Sequence, residues 1–276
     1  MPAELKGQVA IVTGGGRGFG RAIAQRFAAE GAAVTVTART TTQLDETVRL
    51  IEEQGGRALA VTGDVARRKD VARVVAATEK QFGKVTVLVN NAGVPDPFGP
   101  IGVVDPDRWW AAQEIHIRAP FLYISAVLPS MLEQGAGRII NISAIGGKVV
   151  APYLSAYCVG KAAQIRLTEL LAAETRERGV SVFAIDPGFV ITALAEQTMA
   201  SPDAQRWLPD MVKRLQARKQ EAHAGADLER CQQRCVDLAS GRYDVLSGKY
   251  MVLDNDLDDM VLQMETDDIT IIPSDH

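Results

Sequence analysis

The stretch that decides the fold is TGGGRGFG, from Thr13 to Gly20, which joins an apolar run to a helical pattern. The apolar residues 8–13 predict a buried strand, and the spacing of apolar residues over 21–30 predicts a helix. A glycine-rich turn lets the backbone approach a pyrophosphate, and a helix N-terminus offers free N–H donors to it. Such glycines could serve only to pack helix on strand, but their position at the first strand–helix junction favours nucleotide binding.

The alternation of strand and helix continues along most of the chain. Apolar, β-branched runs predict further strands at 33–38, 58–61, 85–89, 137–142, 180–185 and 249–253. Apolar residues at helical spacing predict helices at 43–54, 69–82, 108–132 and 156–178. This order predicts an α/β fold of right-handed βαβ units, with a parallel sheet covered by helices on both faces.

The regular alternation breaks after Ile185. Residues 189–229 contain helical patterns interrupted at Ser201-Pro202-Asp203 and Leu208-Pro209-Asp210, and we expect them to form a helical lid over a substrate. The expected organisation is one domain over 1–256 that includes this lid, followed by an acidic extension over 257–276. The apolar segment 269–272 favours an arm that docks on a neighbouring subunit over a solvated tail.

Composition and charge indicate a soluble globular protein. The 276 residues are 47% hydrophobic and 23% charged, which excludes a disordered, collagen-like or coiled-coil chain. A net charge of −4 gives no reason to expect nucleic acid or membrane as a partner. The sequence has no run of 18 apolar residues, so we expect no membrane span. The three cysteines, Cys158, Cys231 and Cys235, suit a reducing compartment. We therefore expect a cytoplasmic protein without a metal site.

The charge is unevenly distributed. The last 26 residues hold eight acids and no Lys or Arg, so the remaining body carries a formal charge of +4. Strand two ends in Ala38-Arg39-Thr40, without the acid that usually binds the ribose of NAD. Arg39 and Arg17 flank the same expected pocket and suit a 2′-phosphate, although exposed arginines are often only solvated. The sequence therefore favours NADP over NAD.

A second motif pairs Tyr157 with Lys161 on one face of a helix. A phenol has a pKa of about 10, and a neighbouring cation lowers that pKa towards neutrality, as a general acid or base requires. Lys161 and a positively charged nicotinamide are the joint sources of this effect. Taken alone, a Tyr-x-x-x-Lys pair is more often a surface pair.

Together these elements resemble the classical short-chain dehydrogenase/reductase family over residues 5–256. The matching motifs are Thr13-Gly14-x-x-x-Gly18-x-Gly20, Asp64-Val65, Asn90-Asn91-Ala92-Gly93, Tyr157-x-x-x-Lys161 and Pro187-Gly188. The resemblance implies a Rossmann-like, doubly wound, seven-stranded parallel sheet of order 3-2-1-4-5-6-7, assembled as a homotetramer or homodimer. It also implies hydride transfer between NAD(P) and a carbonyl or alcohol carbon.

The resemblance assigns roles to individual residues. It makes Tyr157 the general acid/base, and makes Lys161 the residue that binds nicotinamide ribose and lowers the pKa of the tyrosine. The residues expected to contact the cofactor are Gly14, Gly16, Arg17, Gly18, Phe19, Gly20, Arg39, Asp64, Val65, Asn91, Ala92, Gly93, Tyr157, Lys161, Pro187, Gly188, Val190 and Thr192. Those expected near the substrate are Val94, Ser143, Ala144, Tyr153, Phe189 and Trp207.

Two positions depart from the family pattern. The family's catalytic serine is replaced by Ala144, and its catalytic asparagine by His116. Another donor could substitute, either Ser143 if a bulge rotates the strand end or a group on the substrate itself. The Tyr157–Lys161 pair could also act unaided on a reactive carbonyl. His116 is either a catalytic or relay residue, or a helix histidine satisfied by a backbone carbonyl.

The sequence thus predicts an NADP-dependent oxidoreductase acting on a small-molecule alcohol or carbonyl compound of medium size and partly apolar character. The alternative is a catalytically weakened, cofactor-binding homologue with a structural or regulatory role, which Ala144 motivates.

Overall fold

The computed structural model describes residues 3–219 and 225–270, with side chains as far as Met264. The strands are β1 (Val9–Thr13), β2 (Ala33–Ala38), β3 (Arg57–Thr62), β4 (Val87–Asn90), β5 (Gly137–Ile142), β6 (Val180–Ile185) and β7 (Tyr250–Met251). The helices are α1 (Gly18–Ala29), α2 (Thr41–Glu52), α3 (Arg68–Phe82), α4 (Pro106–Gln113), α5 (Ala119–Gln134), α6 (Ser155–Thr175), α7 (Ala193–Ala200), α8 (Pro202–Trp207), α9 (Pro209–Lys219), α10 (Ala226–Ser240) and α11 (Leu257–Thr270).

The seven strands form one parallel sheet in the order β3-β2-β1-β4-β5-β6-β7, which confirms the order that the family resemblance implies. In β1, Val12 pairs with Val36 of β2 on one side and with Val89 of β4 on the other. All residues of β1 and β6 are buried, as expected for central strands covered on both faces.

The core consists of two apolar clusters, one on each face of the sheet. Because successive strand residues point to opposite faces, Ala10 and Val12 belong to the first cluster and Ile11 to the second. The first cluster is completed by α1 and α10, and the second by α3 and α5. Each large side chain buried here contributes about 1.5–3 kcal/mol, and this burial holds the strand ends in place.

Beyond β6 the chain forms the short helices α7, α8 and α9, which are separated at Ser201-Pro202 and Leu208-Pro209. Proline has no N–H and fixes φ, so it suits the first position of a helix and ends the preceding one. Within the predicted segment 189–229, the described helices run from Ala193 to Lys219 and begin again at Ala226, and the role of a substrate lid stays a prediction. Residues 220–224 lie outside the described part.

The acidic extension begins with helix α11, which packs on its own chain. Leu257 is buried, and Met260, Val261 and Met264 pack against the first core cluster. The Tyr243 hydroxyl donates to Asp258 at 2.8 Å. The first half of the extension is thus part of the body. The expected docking arm rests on residues 269–272, of which Ile271 and Ile272 lie outside the described residues and Ile269 and Thr270 have no described side chains.

One helical run among the described residues, Pro106–Gln134, is long and apolar enough to cross a membrane by length and composition alone. One such helix is weak evidence for a membrane span, because core helices of folded domains pass the same criterion. The run comprises α4, a π-turn (Glu114–Arg118) and α5, and its Tyr123, Val127 and Met131 are buried in the second core cluster. This burial is that of a core helix in a folded domain.

Candidate active site

The turn after β1 has a shape that only glycine fits. Gly14 and Gly18 have φ values of +66° and +56°, in the left-handed region. A Cβ added to Gly20 would lie 2.3 Å from the Gly14 carbonyl oxygen. Helix α1 begins at Gly18, so the main-chain N–H groups of its first turn are available to an anion.

A polar clamp holds this turn against the end of β4. The Thr13 hydroxyl accepts from the N–H groups of Asn91 and Ala92 at 2.9 and 3.1 Å. The Asn91 side-chain amide donates to the Thr13 carbonyl at 2.8 Å. Asn91, expected to contact cofactor, therefore also fixes the spacing between the glycine turn and a central strand.

Arg21 is a further support that sequence reasoning missed. Its guanidinium donates to the Gly16 carbonyl at 2.5 Å, the Gln43 carbonyl at 3.2 Å and the Thr47 hydroxyl at 3.0 Å. These bonds tie the glycine turn to α2. No local pattern indicates them, because the partners are 22 and 26 residues away in sequence.

The two arginines assigned to a 2′-phosphate are exposed and unengaged. The guanidinium of neither Arg17 nor Arg39 forms a hydrogen bond or ion pair with a described residue. The carboxylate of Asp64, in contrast, accepts from the Ala66 N–H at 3.0 Å and lies 3.6 Å from Arg67, and Val65 beside it is buried.

The loop after β6 lies beside the glycine turn. Pro187 is buried, Gly188 has a φ of +75°, and the Thr192 N–H donates to the Val190 carbonyl at 2.8 Å. A Cβ on Gly18 would contact the Thr192 side chain at 3.4 Å. The fold therefore brings together two motifs that are more than 170 residues apart in sequence.

Helix α6 carries the Tyr157–Lys161 pair at the carboxyl ends of the central strands. The Lys161 Nζ lies 5.7 Å from the centroid of the Tyr157 ring and donates to the Ile142 carbonyl at 2.7 Å and to Gln164 Oε1 at 3.2 Å. Burial lowers the pKa of Lys161 to about 7, and the negative charge of Asp186 opposes that shift.

The expected lowering of the Tyr157 pKa is not found in the protein alone. Burial raises the pKa of the phenol above its usual range, and the charges of Asp186 and Cys158 add to the effect. Desolvation disfavours the phenolate, and the same burial favours the neutral form of Lys161. The described chain therefore keeps Tyr157 protonated.

His116 lies in the π-turn between α4 and α5 and is fully buried. Its Nε2 is 2.9 Å from the Val94 carbonyl, and its ring meets that of Tyr157 edge to face at 5.5 Å. Burial lowers the pKa of His116 to about 3, with the Lys161 charge as second cause, so the imidazole is neutral. One ring nitrogen is thus held by a backbone carbonyl, whereas Nδ1 is buried without a hydrogen-bond partner among the described residues.

The geometry argues against Ser143 as the substitute donor. Its hydroxyl donates to the Lys161 carbonyl at 3.0 Å, and the residue is 1% exposed. The strand end is not rotated by a bulge, because Ser143 N–H continues the pairing with the Ile185 carbonyl at 2.7 Å. Ala144 next to it has extended backbone and a side chain without a donor.

Sequence reasoning also missed Asp186, which precedes Pro187-Gly188. Its carboxylate accepts from the Gly188 N–H at 2.8 Å, from the Ile145 N–H, and from the Tyr250 hydroxyl at 3.4 Å. Asp186 thus joins the strand end at Ala144 to the loop after β6. Its position before a Pro-Gly turn is the one available sequence signal.

Two of the residues expected near the substrate form an aromatic pair. Tyr153 and Trp207 have ring centroids 5.6 Å apart, and Tyr153 has a left-handed φ of +68°. Strained non-glycine residues cluster at functional sites. A small apolar cluster stands behind the pair, with Phe98, Leu154, Ala204 and Val212 as its buried members and Tyr157 and Cys158 packed against it. Phe189 is exposed, and its N–H donates to Asp227 at 2.8 Å.

Known proteins are similar to this chain in sequence. Residues 8–203 match the sequence model of the short chain dehydrogenase family. A short chain dehydrogenase of Pseudocercospora fijiensis is 36% identical over 270 residues, covering 95% of this chain and 85% of that protein. A 3-oxoacyl-[acyl-carrier-protein] reductase of Synechocystis sp. is 38% identical over 202 residues, covering 73% and 81%.

Solved structures agree. A crystal structure of a Burkholderia xenovorans protein assigned to the short-chain dehydrogenases/reductases superposes with a TM-score of 0.80 at 32% identity, covering 93% of this chain and 98% of that chain. Sequence, sheet order and site geometry lead to the same result: this chain belongs to the short-chain dehydrogenase/reductase family, whose members are NAD(P)-dependent oxidoreductases acting on alcohol groups.

Proposed function

We propose that the chain is an NADP(H)-dependent oxidoreductase that interconverts an alcohol and a ketone or aldehyde on a medium-sized, partly apolar substrate. The observation that carries this proposal is the Tyr157–Lys161 pair. It lies on one side of α6, beside an apolar cluster on which a substrate could rest. A phenol in that position can exchange a proton with a substrate oxygen.

The residues around the glycine turn fit a phosphorylated dinucleotide. Main-chain N–H groups at the start of α1 suit the pyrophosphate, and the unengaged guanidiniums of Arg17 and Arg39 suit a 2′-phosphate. The bound cofactor supplies or accepts the hydride. The other contacts we assign to it are those of Gly14, Gly16, Gly18, Phe19, Gly20, Asp64, Val65, Asn91, Ala92, Gly93, Tyr157, Lys161, Pro187, Gly188, Val190 and Thr192.

The electrostatics of the chain alone suit carbonyl reduction. Burial keeps the Tyr157 phenol protonated, so it can donate its proton to the oxygen of a carbonyl substrate. Alcohol oxidation requires the phenolate, which a protonated Lys161 and the positive charge of an oxidised nicotinamide would stabilise.

Replacing Tyr157 tests the proposal. Tyr157→Phe removes the hydroxyl and keeps the ring, so we expect turnover of a ketone panel with NADPH to fall at least 100-fold while NADPH fluorescence still reports binding. Tyr243→Phe is the matched control, because the Tyr243 hydroxyl bonds Asp258 in α11, away from this pair. Unchanged turnover in Tyr157→Phe would overturn the proposal.

A second candidate function is a catalytically weakened homologue with a structural or regulatory role. Two observations favour it: Ala144 has no hydroxyl, and the neighbouring Ser143 hydroxyl is bonded to a main-chain carbonyl. The Ala144→Ser variant separates the two candidates.

We further propose a cytoplasmic homotetramer or homodimer with a small molecule as its partner, and neither nucleic acid nor membrane. Large apolar side chains on α4, α5 and α6 support the assembly, since Trp110, Phe121 and Leu170 are 65%, 56% and 54% exposed. Light scattering should give a mass of two or four chains, and a monomer at micromolar concentration contradicts this part.

A further inference from the structure

Gln164 is a fully buried glutamine on α6, one helical turn after Lys161, and the proposed reaction gives it no role. Both ends of its side chain are bonded. Its Oε1 accepts from the Lys161 Nζ at 3.2 Å, and its Nε2 donates to the His116 main-chain carbonyl at 2.8 Å. Burying an amide is costly unless its hydrogen bonds are made, so this orientation is strongly preferred.

The π-turn supplies the second partner. Residues 114–118 depart from α-helical hydrogen bonding, and the main-chain carbonyl of His116 accepts a hydrogen bond from the Gln164 side-chain amide. Because Nε2 must face that carbonyl, Oε1 faces the lysine. The Thr168 hydroxyl donates to the main-chain carbonyl of Gln164 at 2.9 Å, a bond within α6 that does not involve the side-chain amide.

Lys161 depends on neutral acceptors. In the described chain its Nζ has two, the carbonyl of Ile142 and Oε1 of Gln164, and no described carboxylate forms an ion pair with it. The titratable groups that act on this ammonium or pack beside it are Tyr157 and Cys158 of α6, His116 of the π-turn, and Asp186 after β6. Of these, Asp186 favours the charged lysine, whereas burial opposes it.

We propose that Gln164 is a positioning residue for the reaction: it holds the Lys161 ammonium protonated and in place, and so sets the pH range in which Tyr157 exchanges its proton. The inference rests on the proposed function, because it concerns the same Tyr157–Lys161 pair. A carboxamide is neither acid nor base near neutral pH, so Gln164 holds the charge and does not pass a proton.

The first test compares Gln164→Met with Thr168→Val. Methionine has a similar length and lacks the strong acceptor, so the charged lysine and with it the phenolate lose stabilisation. Thr168 is equally buried: its hydroxyl accepts from the Asn141 amide and donates to the Gln164 main-chain carbonyl, and among the described residues it forms no hydrogen bond with Lys161. Both variants lose buried hydrogen bonds, but only Gln164→Met removes a hydrogen-bond acceptor of the Lys161 ammonium.

The readout is the pH profile of alcohol oxidation with NADP⁺. In Gln164→Met we expect the acid-side pKa of kcat/KM to rise by about one unit, with kcat/KM at pH 7 about tenfold lower. In Thr168→Val we expect lower thermal stability and a profile that coincides with wild type. Coincident profiles for Gln164→Met and wild type overturn the proposal.

A second measurement needs neither turnover nor a folded variant. In the wild-type protein, the side-chain amide resonances of Gln164 should titrate with a midpoint near pH 7, as Lys161 loses its proton. Amide resonances that do not change between pH 5 and 9 overturn the proposal. Absence of turnover on any ketone or alcohol would instead count against the proposed function, and the amide titration would still decide the role of Gln164.

Discussion

The Ser143 hydroxyl donates to the main-chain carbonyl of Lys161 at 3.0 Å, so this serine supports the helix that carries the Tyr157–Lys161 pair. We predict from the family resemblance that its neighbour Ala144 stands where a hydroxyl would donate to the substrate oxygen. Removing such a donor from an active enzyme costs about 10²–10³ in rate. An enzyme that works without it must obtain this stabilisation from its own substrate or from the Tyr157–Lys161 pair.

Ala144→Ser tests which case holds. If the chain is a specialised enzyme, the added hydroxyl should change kcat on its best ketone by less than about tenfold, because the site is already adapted to that substrate. A gain of about 100-fold across unrelated ketones would favour the weakened homologue. Ser143→Ala is the control, and we expect it to cost about 1 kcal/mol in the free energy of unfolding through the lost bond to Lys161.

Arg39→Ala should change cofactor choice. A guanidinium bonded to a 2′-phosphate contributes about 1.5–3 kcal/mol, so its loss should weaken NADPH binding by about 10- to 100-fold and leave NADH binding nearly constant. Titration of cofactor fluorescence measures both. Arg166→Ala is the matched control, since Arg166 is an exposed arginine paired with Glu169 on α6. Equal effects on NADPH and NADH would contradict the assignment of Arg39.

Much of the fold follows from local patterns. The β-branched runs between glycine-capped helices predict β1, β2, β5 and β6 almost to the residue. The last strand is shorter than predicted because its continuation bonds elsewhere. The Arg234 guanidinium donates to the carbonyls of Val252 and Leu253 at 3.0 and 3.3 Å, and the Val252 N–H donates to the Asn255 side chain. A side chain 18 residues away decides this, so no strand propensity reveals it.

For the candidate site, the sequence predicts the motifs that are local in the chain but not the contacts that depend on packing. Spacing alone identifies Tyr157 and Lys161 as a pair, and the glycine motif predicts the turn at Gly14. The direction of the Tyr157 pKa was wrong for the chain alone, because the sequence shows the nearby cation but not the burial. The bond from Gln164 to His116 joins residues 48 apart, and it depends on how α6 packs on the π-turn.

His116 should make stability depend on pH. Its pKa is about 3 in the folded chain and about 6.5 when unfolded, so the unfolded state binds the extra proton between these values. This part of the stability is complete above pH 6.5 and is lost as the pH falls towards 3. Lowering the pH from 6.5 to 5.0 should therefore cost wild type about 1.5 kcal/mol more than His116→Asn.

Urea denaturation of both proteins at the two pH values measures this difference. The comparison between variants removes the contribution of carboxylates, which titrate in both. An equal loss of stability in wild type and His116→Asn would mean that His116 is not buried in neutral form.

Trp207→Ala should reduce the affinity for apolar substrates. The Trp207 ring lies 5.6 Å from that of Tyr153, and a Cβ on Gly99 would contact it at 3.4 Å, so it joins α8 to the loop after β4. An aromatic contact of this kind contributes about 0.5–1.5 kcal/mol beyond its buried area. We therefore expect kcat/KM for a bulky apolar ketone to fall about 3- to 10-fold, through KM rather than kcat, because Trp207 is not bonded to Tyr157 or Lys161.

Trp110→Ala removes an exposed tryptophan of α4 and should leave KM near the wild-type value. If Trp207→Ala lowers kcat and leaves KM unchanged, the aromatic pair does not line the substrate site and acts on the reacting groups instead.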